Sequence, residues 1–174
     1  EDLSRGLGDV YKRQTVSESI NRNLPVELAL LPFIESQFDP YAQSSTGASG
    51  IWQFILSTAR EQKLKKNWWY DGRRDIVAST GAAYDYLTKL HSKYDDWLLA
   101  IAAYNAGPNR ISKEIKKNLA KGLPTDFWSL NLPKETKAYV PKLLALVEVI
   151  KNPSKFSVDI PFLPNRPYFQ LVTL

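Results

Sequence analysis

The sequence predicts an all-α domain, and two observations carry that expectation. Apolar residues recur at helical spacing through most of residues 15–150, and the stretches are punctuated by Asp, Gly and Pro at positions suited to caps and breaks. Strand-like character is confined to the last residues, Tyr168 to Leu174.

The elements follow in order. Residues 1–14 show no clean period, and Gly6, Gly8 and several charges make them read as a loose arm. Residues 15–23 suit a short helix. Pro25 can open the next one, because its missing N–H falls among groups with no helical partner. Val26 to Phe38 is apolar on more than one side and reads as a buried helix, with a kink or restart at Pro32 and an end at Asp39-Pro40. Residues 41–50, small and polar with Gly47 and Gly50, form a loop. Helices are expected over Ser57 to Lys63, from an Asp75 cap to about Leu90, and from an Asp95 or Asp96 cap through Trp97 to Tyr104. Asn105-Ala106-Gly107-Pro108 is a breaker, and another helix covers Asn109 to Leu119. After a loop over 123–134, Glu135 to Ile150 is apolar on one face. Four prolines in the 23 residues from Asn152 onward predict an extended tail with a possible short strand at its end. The chain thus divides into an arm, 1–14, a helical body, 15–153, and a tail, 154–174.

Composition excludes several functions. The 174 residues hold no cysteine and one histidine, His91, which removes thiol nucleophiles, disulfides and a histidine-based zinc cluster. No metal or cofactor is expected. Lys and Arg number 23 against 18 Asp and Glu, a net +5. That charge is scattered and carries no nucleic-acid-binding signature, so nucleic acid is not an expected partner. The densest run, Arg110, Lys113, Lys116, Lys117 and Lys121, reads as a solvated helix face or as contact with an anionic partner. No apolar run is long enough to span a membrane. The chain opens on Glu, consistent with a piece of a longer precursor, and membrane attachment is expected only through a region outside these residues.

Glu35 is the residue of interest. It lies near the end of an apolar helix, one turn beyond Leu31 and beside Ile34. At a cleft wall, partial desolvation would raise its pKa and keep a neutral acid ready to donate a proton near pH 7. Periodicity alone favours a surface or capping glutamate.

The run from Glu35 to Phe54, Glu-Ser-Gln-Phe-Asp-Pro-Tyr-Ala-Gln-Ser-Ser-Thr-Gly-Ala-Ser-Gly-Ile-Trp-Gln-Phe, goes further. With Ala102-Ala103-Tyr104-Asn105-Ala106-Gly107-Pro108 and Glu135-Thr136-Lys137-Ala138-Tyr139-Val140, it resembles in order and spacing the Slt-type, goose-lysozyme-like lytic transglycosylases. Leu31-Pro32 before the glutamate, Gly50-Ile51-Trp52-Gln53 after it, Tyr70-Asp71-Gly72-Arg73-Arg74-Asp75 and Thr125-Asp126-Phe127-Trp128-Ser129-Leu130 resemble more narrowly the membrane-bound lytic murein transglycosylase D group of that family.

This resemblance implies a lysozyme-like fold acting on peptidoglycan glycan strands in the periplasm or cell envelope, either free or outer-membrane anchored in the full-length precursor. It implies Glu35 as the single catalytic acid and base. Ser44, Gln53, Tyr104, Asn105 and Tyr139 would line the substrate site, with Tyr104 hydrogen-bonding near the glutamate. Gly47 and Gly50 would let the backbone approach the sugar closely. Bland readings stand beside these: Ser44 as a turn cap, Gln53 as an internal hydrogen-bonder, Tyr104 as core, Asn105 as a loop brace. Trp52, Trp68, Trp69, Tyr70, Trp97, Phe127 and Trp128 are candidate sugar platforms or core residues; Trp52 and Trp128 are carried forward as platforms and Trp97 as core. A second carboxylate is not evident, since Asp39 suits a turn and Asp71 and Asp75 suit pairing or capping. The rival functions are a hydrolytic muramidase of the same fold and an inactive glycan-binding module.

Overall fold

In the computed structural model residues 2–160 are described, with side chains from residue 10 onward. Seven α-helices follow in order: α1 (Asp2–Asn21), α2 (Leu31–Ser36), α3 (Leu56–Glu61), α4 (Ile76–Tyr94), α5 (Trp97–Ala106), α6 (Pro108–Leu119) and α7 (Lys134–Lys151). Among the described residues the only β pairing is three isolated bridges, two of them pinning Ser49 between Gln43 and Phe54.

The centre is α5. Leu99 to Ala103 are all buried, and the helix packs against α4, α6 and α7. Small residues there, Ala100, Ala102 and Ala103, let its neighbours approach closely. Its start is set by Asp96, whose carboxylate accepts from the N–H groups of Leu98 and Leu99 at 2.6 and 3.2 Å. Asp75 does the same for α4 through the Ala78 N–H at 2.8 Å. Each cap satisfies amides with no partner inside the helix. Asp96→Ala should therefore lower stability by about 1 kcal/mol, or roughly 2–4 °C in Tm, read by thermal melting. At the other end of α5, Gly107 turns the chain at φ 86° and Pro108 opens α6, so the expected breaker is a helix–helix corner.

The apolar segment after Pro25 is two pieces. Val26–Leu30 is a 3-10 turn, and α2 restarts with Pro32 in its first turn, where a proline costs no hydrogen bond. Gln37 and Phe38 then both take left-handed φ, 55° and 63°. Two such non-glycine residues in succession are held by context: Phe38 is buried, and Ser36 Oγ ties the corner to the Ile51 carbonyl at 3.1 Å.

Two expectations are corrected. The loose arm does not exist as such, because α1 runs unbroken across residue 14. Gly6 and Gly8 lower helix propensity without breaking the helix, and farther along α1 packs against α4, where Tyr84 donates to the Thr15 carbonyl at 2.8 Å and Arg22 meets Asp85 at 2.5 Å. The tail is not extended from its start, since Pro153–Phe156 forms a 3-10 turn with proline in its first turn. The possible strand at 168–174 lies outside the described residues.

Candidate active site

The last turn of α2 presents Glu35 to a cleft of about 800 Å³. One wall comes from the 42–54 loop, with Ser44, Thr46 and Gln53, another from the end of α5 with Tyr104 and Asn105, and a third from α7 with Glu135, Tyr139 and Lys142. A second hollow shares Ile34, Glu35 and Lys142 with the cleft and is lined also by Phe33, Gln37 and Leu146.

Glu35 is half-buried, and desolvation pushes its pKa up to about 7. The Tyr139 hydroxyl donates to Glu35 Oε1, which favours the charged form, while the negative charge of Glu135 favours the neutral one. Burial wins. Tyr139 is buried, and its own pKa is raised by burial and then by Glu35, so it remains a neutral donor. Tyr139→Phe removes the one contact that stabilises the carboxylate. Its pKa should climb further, by on the order of one pH unit, visible as an upward shift of the alkaline limb in a pH–rate profile.

The other expected site residues divide between lining and bracing. Ser44 lines the cleft and also caps its turn, accepting from the Ala48 N–H at 3.0 Å and sharing a hydrogen bond with Thr46. Gln53 lines it in a left-handed conformation (φ 48°), its amide donating to the Gly50 and Ala42 carbonyls at 2.7 and 3.2 Å. Asn105 lines it while bridging α5 to α7, accepting from Thr136 at 2.8 Å and donating to Glu135 at 3.5 Å.

Tyr104 does not hydrogen-bond Glu35. Its hydroxyl donates to the Trp52 carbonyl at 2.8 Å, and its ring packs among Trp52, Phe54 and Tyr86. Burial, then the nearby Glu35 charge, raise its pKa. Of the two tyrosines expected beside the glutamate, Tyr139 is the one that reaches its carboxyl.

Trp52 is a correction. Its side chain is 0% exposed, set edge-on to Tyr84 with its indole N–H donating to Thr80 at 3.0 Å. It is core, and only its carbonyl serves the site. Trp128 is 62% exposed on a 3-10 turn capped by Asp126, and it is not among the residues lining the cleft. Trp68 and Trp69 are not among the lining residues either. Trp97 is half-buried and stacks on His91, with ring centroids 4.1 Å apart.

Gly50 approaches protein and not open groove: a Cβ there would sit 1.8 Å from the Arg73 carbonyl oxygen. Arg73 itself is buried. It donates to the Gly47 and Phe54 carbonyls at 2.8 and 3.1 Å and is held by Asp71 at 2.7 Å, whose pKa it pulls down to about 2. Asp71 and Asp75 thus pair and cap, and Asp39 closes a turn on the Tyr41 N–H.

Three charged residues of the cleft, Glu61, Glu135 and Lys142, had no role assigned from the sequence. Glu135 and Lys142 lie four before and three after Tyr139, the helical spacing that puts all three on one face of α7. That spacing was the available signal.

Residues 15–125 match the family described as the transglycosylase SLT domain. The chain is 55% identical over 141 residues to membrane-bound lytic murein transglycosylase D of Escherichia coli K12, covering 80% of this chain and 31% of that protein. It is 39% identical over 166 residues to a putative tributyltin chloride resistance protein of an Alteromonas species, covering 95% and 78%. Among solved structures it resembles lytic transglycosylase Slt of Pseudomonas aeruginosa, crystallised as an inactive glutamate-to-glutamine mutant. There the TM-score is 0.57 and identity 26%, over 84% of this chain and 24% of that one. The chain therefore spans about a third of the length of its E. coli relative.

Proposed function

The chain belongs to the transglycosylase SLT domain family, and from that premise we propose that it cleaves the β-1,4 bond between N-acetylmuramic acid and N-acetylglucosamine in peptidoglycan without consuming water. The observation that carries this is Glu35, a cleft-facing carboxyl whose pKa of about 7 leaves it substantially protonated at neutral pH.

Glu35 first gives its proton to the bond oxygen. Positive charge develops at the muramyl C1, where the sugar's own N-acetyl group can support it. The resulting carboxylate then takes the proton of the same sugar's C6 hydroxyl, whose oxygen attacks C1 and closes a 1,6-anhydro ring. The proton removed from the C6 hydroxyl replaces the one given away, so Glu35 ends as it began. The nucleophile is tethered to the reacting carbon, which gives the ring closure the advantage of proximity. Tyr139 holds the carboxyl in place through both transfers. Its neutral hydroxyl suits this, because a fixed positive charge at the same place would depress the acid. Ser44 and Gln53 from the 42–54 loop, and Asn105 from the end of α5, contact the sugars from positions fixed by their backbone and side-chain bonds.

A hydrolytic reading has one observation in its favour. Glu135 is a second carboxylate in the cleft, close enough to influence Glu35, and a pair of carboxylates is the usual equipment for adding water. Mass spectrometry of digested cell wall separates the two. Anhydro ends are expected, and products one water heavier throughout would establish the muramidase instead. The same reading places the protein in the cell envelope, where its substrate is. Among the described residues no helix is long and apolar enough to cross a membrane.

A further inference from the structure

The loop between α3 and α4 carries two tryptophans that the cleft does not use. Trp68 is 89% exposed and Trp69 91%. Their backbone is firmly held. Asn67 Oδ1 accepts from the N–H groups of both Trp69 and Tyr70 at 2.8 Å, and the Asn67 N–H donates to the Tyr70 carbonyl at 2.8 Å. Below the turn the Gly72 N–H reaches the Lys65 carbonyl at 2.8 Å, and the Tyr70 hydroxyl donates to Asp75 at 2.9 Å. A tight, bonded turn thus holds both indoles out in water. Indole is the largest amphipathic side chain, and exposed aromatic clusters mark surfaces that meet something else.

The surroundings specify the partner's chemistry. Arg60, Lys63 and Lys65 are exposed close by in the chain. The neighbouring acids are engaged elsewhere: Asp71 with Arg73 and Lys66, Asp75 with Tyr70 and the start of α4, while Glu61 lines the catalytic cleft. Beside Trp68 lies a hollow of about 420 Å³ that has Leu56, Ala59 and Leu64 among its walls and Arg60 and Lys66 among its polar lining.

Against the expectation that membrane attachment lies only outside these residues, we propose that this tip docks on an anionic phospholipid surface, with Trp68 and Trp69 entering the headgroup layer and Arg60, Lys63 and Lys65 meeting the phosphates. Indole rings settle at the boundary between headgroups and acyl chains, and flanking cations add attraction to anionic lipid. A sugar platform fits less well. Stacking uses one face of a ring whose other face rests on protein, and exposure of about nine-tenths leaves both faces open. A lipid interface surrounds the ring on every side.

Co-sedimentation of the chain with vesicles tests this. One set contains phosphatidylglycerol with phosphatidylethanolamine, the other phosphatidylcholine alone. The chain should pellet with the anionic set and far less with the neutral one. The double variants Trp68→Ala/Trp69→Ala and Lys63→Glu/Lys65→Glu should each bind at least tenfold more weakly. Tryptophan emission should shift to the blue on anionic vesicles and be quenched by brominated acyl chains, a response absent from the tryptophan variant. Thermal melts, which these exposed positions should leave unchanged, check folding. Failure of the wild type to pellet with anionic vesicles, or equal pelleting of the tryptophan variant, overturns the proposal. Loss of peptidoglycan binding in that variant, with no vesicle binding in the wild type, assigns the tip to glycan and also overturns it.

Discussion

Replacing Glu35 with Gln is expected to lower glycan turnover by on the order of a thousandfold while leaving glycan binding in place, because both proton transfers lose their only agent. Release of soluble fragments from purified cell wall measures the first, and co-sedimentation with the same material the second. Turnover within tenfold of the wild type would remove Glu35 from the mechanism. The pH profile adds a sharper test. One group acts first as acid and then as base, and it reaches the basic form by its own donation. Activity should therefore fall along a single limb as pH rises through about 7, with no matching acidic limb from a second carboxylate.

The same substitution should change stability in the opposite sense. The folded-state pKa of Glu35 is raised from 4.5 to about 7, so the fold binds this proton more tightly than the unfolded chain does. The associated stability is complete below pH 4.5 and is lost as pH rises through 7. Gln has no proton to lose. The variant should melt like the wild type near pH 4.5 and above it at pH 8, by on the order of 2–3 kcal/mol after allowance for partial solvent access. Lower activity with higher stability is the signature of a residue kept for chemistry.

Gly50→Ala should be the most damaging small substitution. The added methyl would fall 1.8 Å from the Arg73 carbonyl oxygen and 2.6 Å from its carbon, and both are backbone atoms that cannot swing aside. Gly50 also sits at φ 80°. A loss of about 3 kcal/mol or more is expected, read by denaturant unfolding. Gly47→Ala is the control: its φ of 83° is nearly the same, yet a Cβ there meets nothing within 4 Å. It should cost only about 1 kcal/mol, the conformational penalty alone. Equal effects at the two glycines would mean that the close approach is not what fixes Gly50.

What could be read from the sequence was local chemistry. Asp75 and Asp96 are caps because a carboxylate beside unpaired amides is favourable whatever surrounds it, and both fall where expected. Helix existence followed from periodicity, and the cleft-lining set of Glu35, Ser44, Gln53, Tyr104, Asn105 and Tyr139 from three motifs in register. What escaped was set by partners distant in the chain. Trp52 looks like a sugar platform beside Gln53 until Thr80 and Tyr84, about thirty residues on, enclose it. The two tyrosines could not be told apart, because only the packing of α2 against α7 brings Tyr139 to Glu35. Helix α1 was hidden by glycines whose low propensity outweighs any local pattern.

The guanidinium of Arg73 holds two carbonyls, Gly47 and Phe54, from opposite sides of the turn that bears Gln53. That turn surrenders its conformational freedom when the chain folds, not when a sugar arrives. An incoming strand meets a finished mould. Affinity at this wall should then be governed by the contacts themselves, with little entropic penalty for ordering the receptor, and calorimetry of a bound oligosaccharide would register the difference.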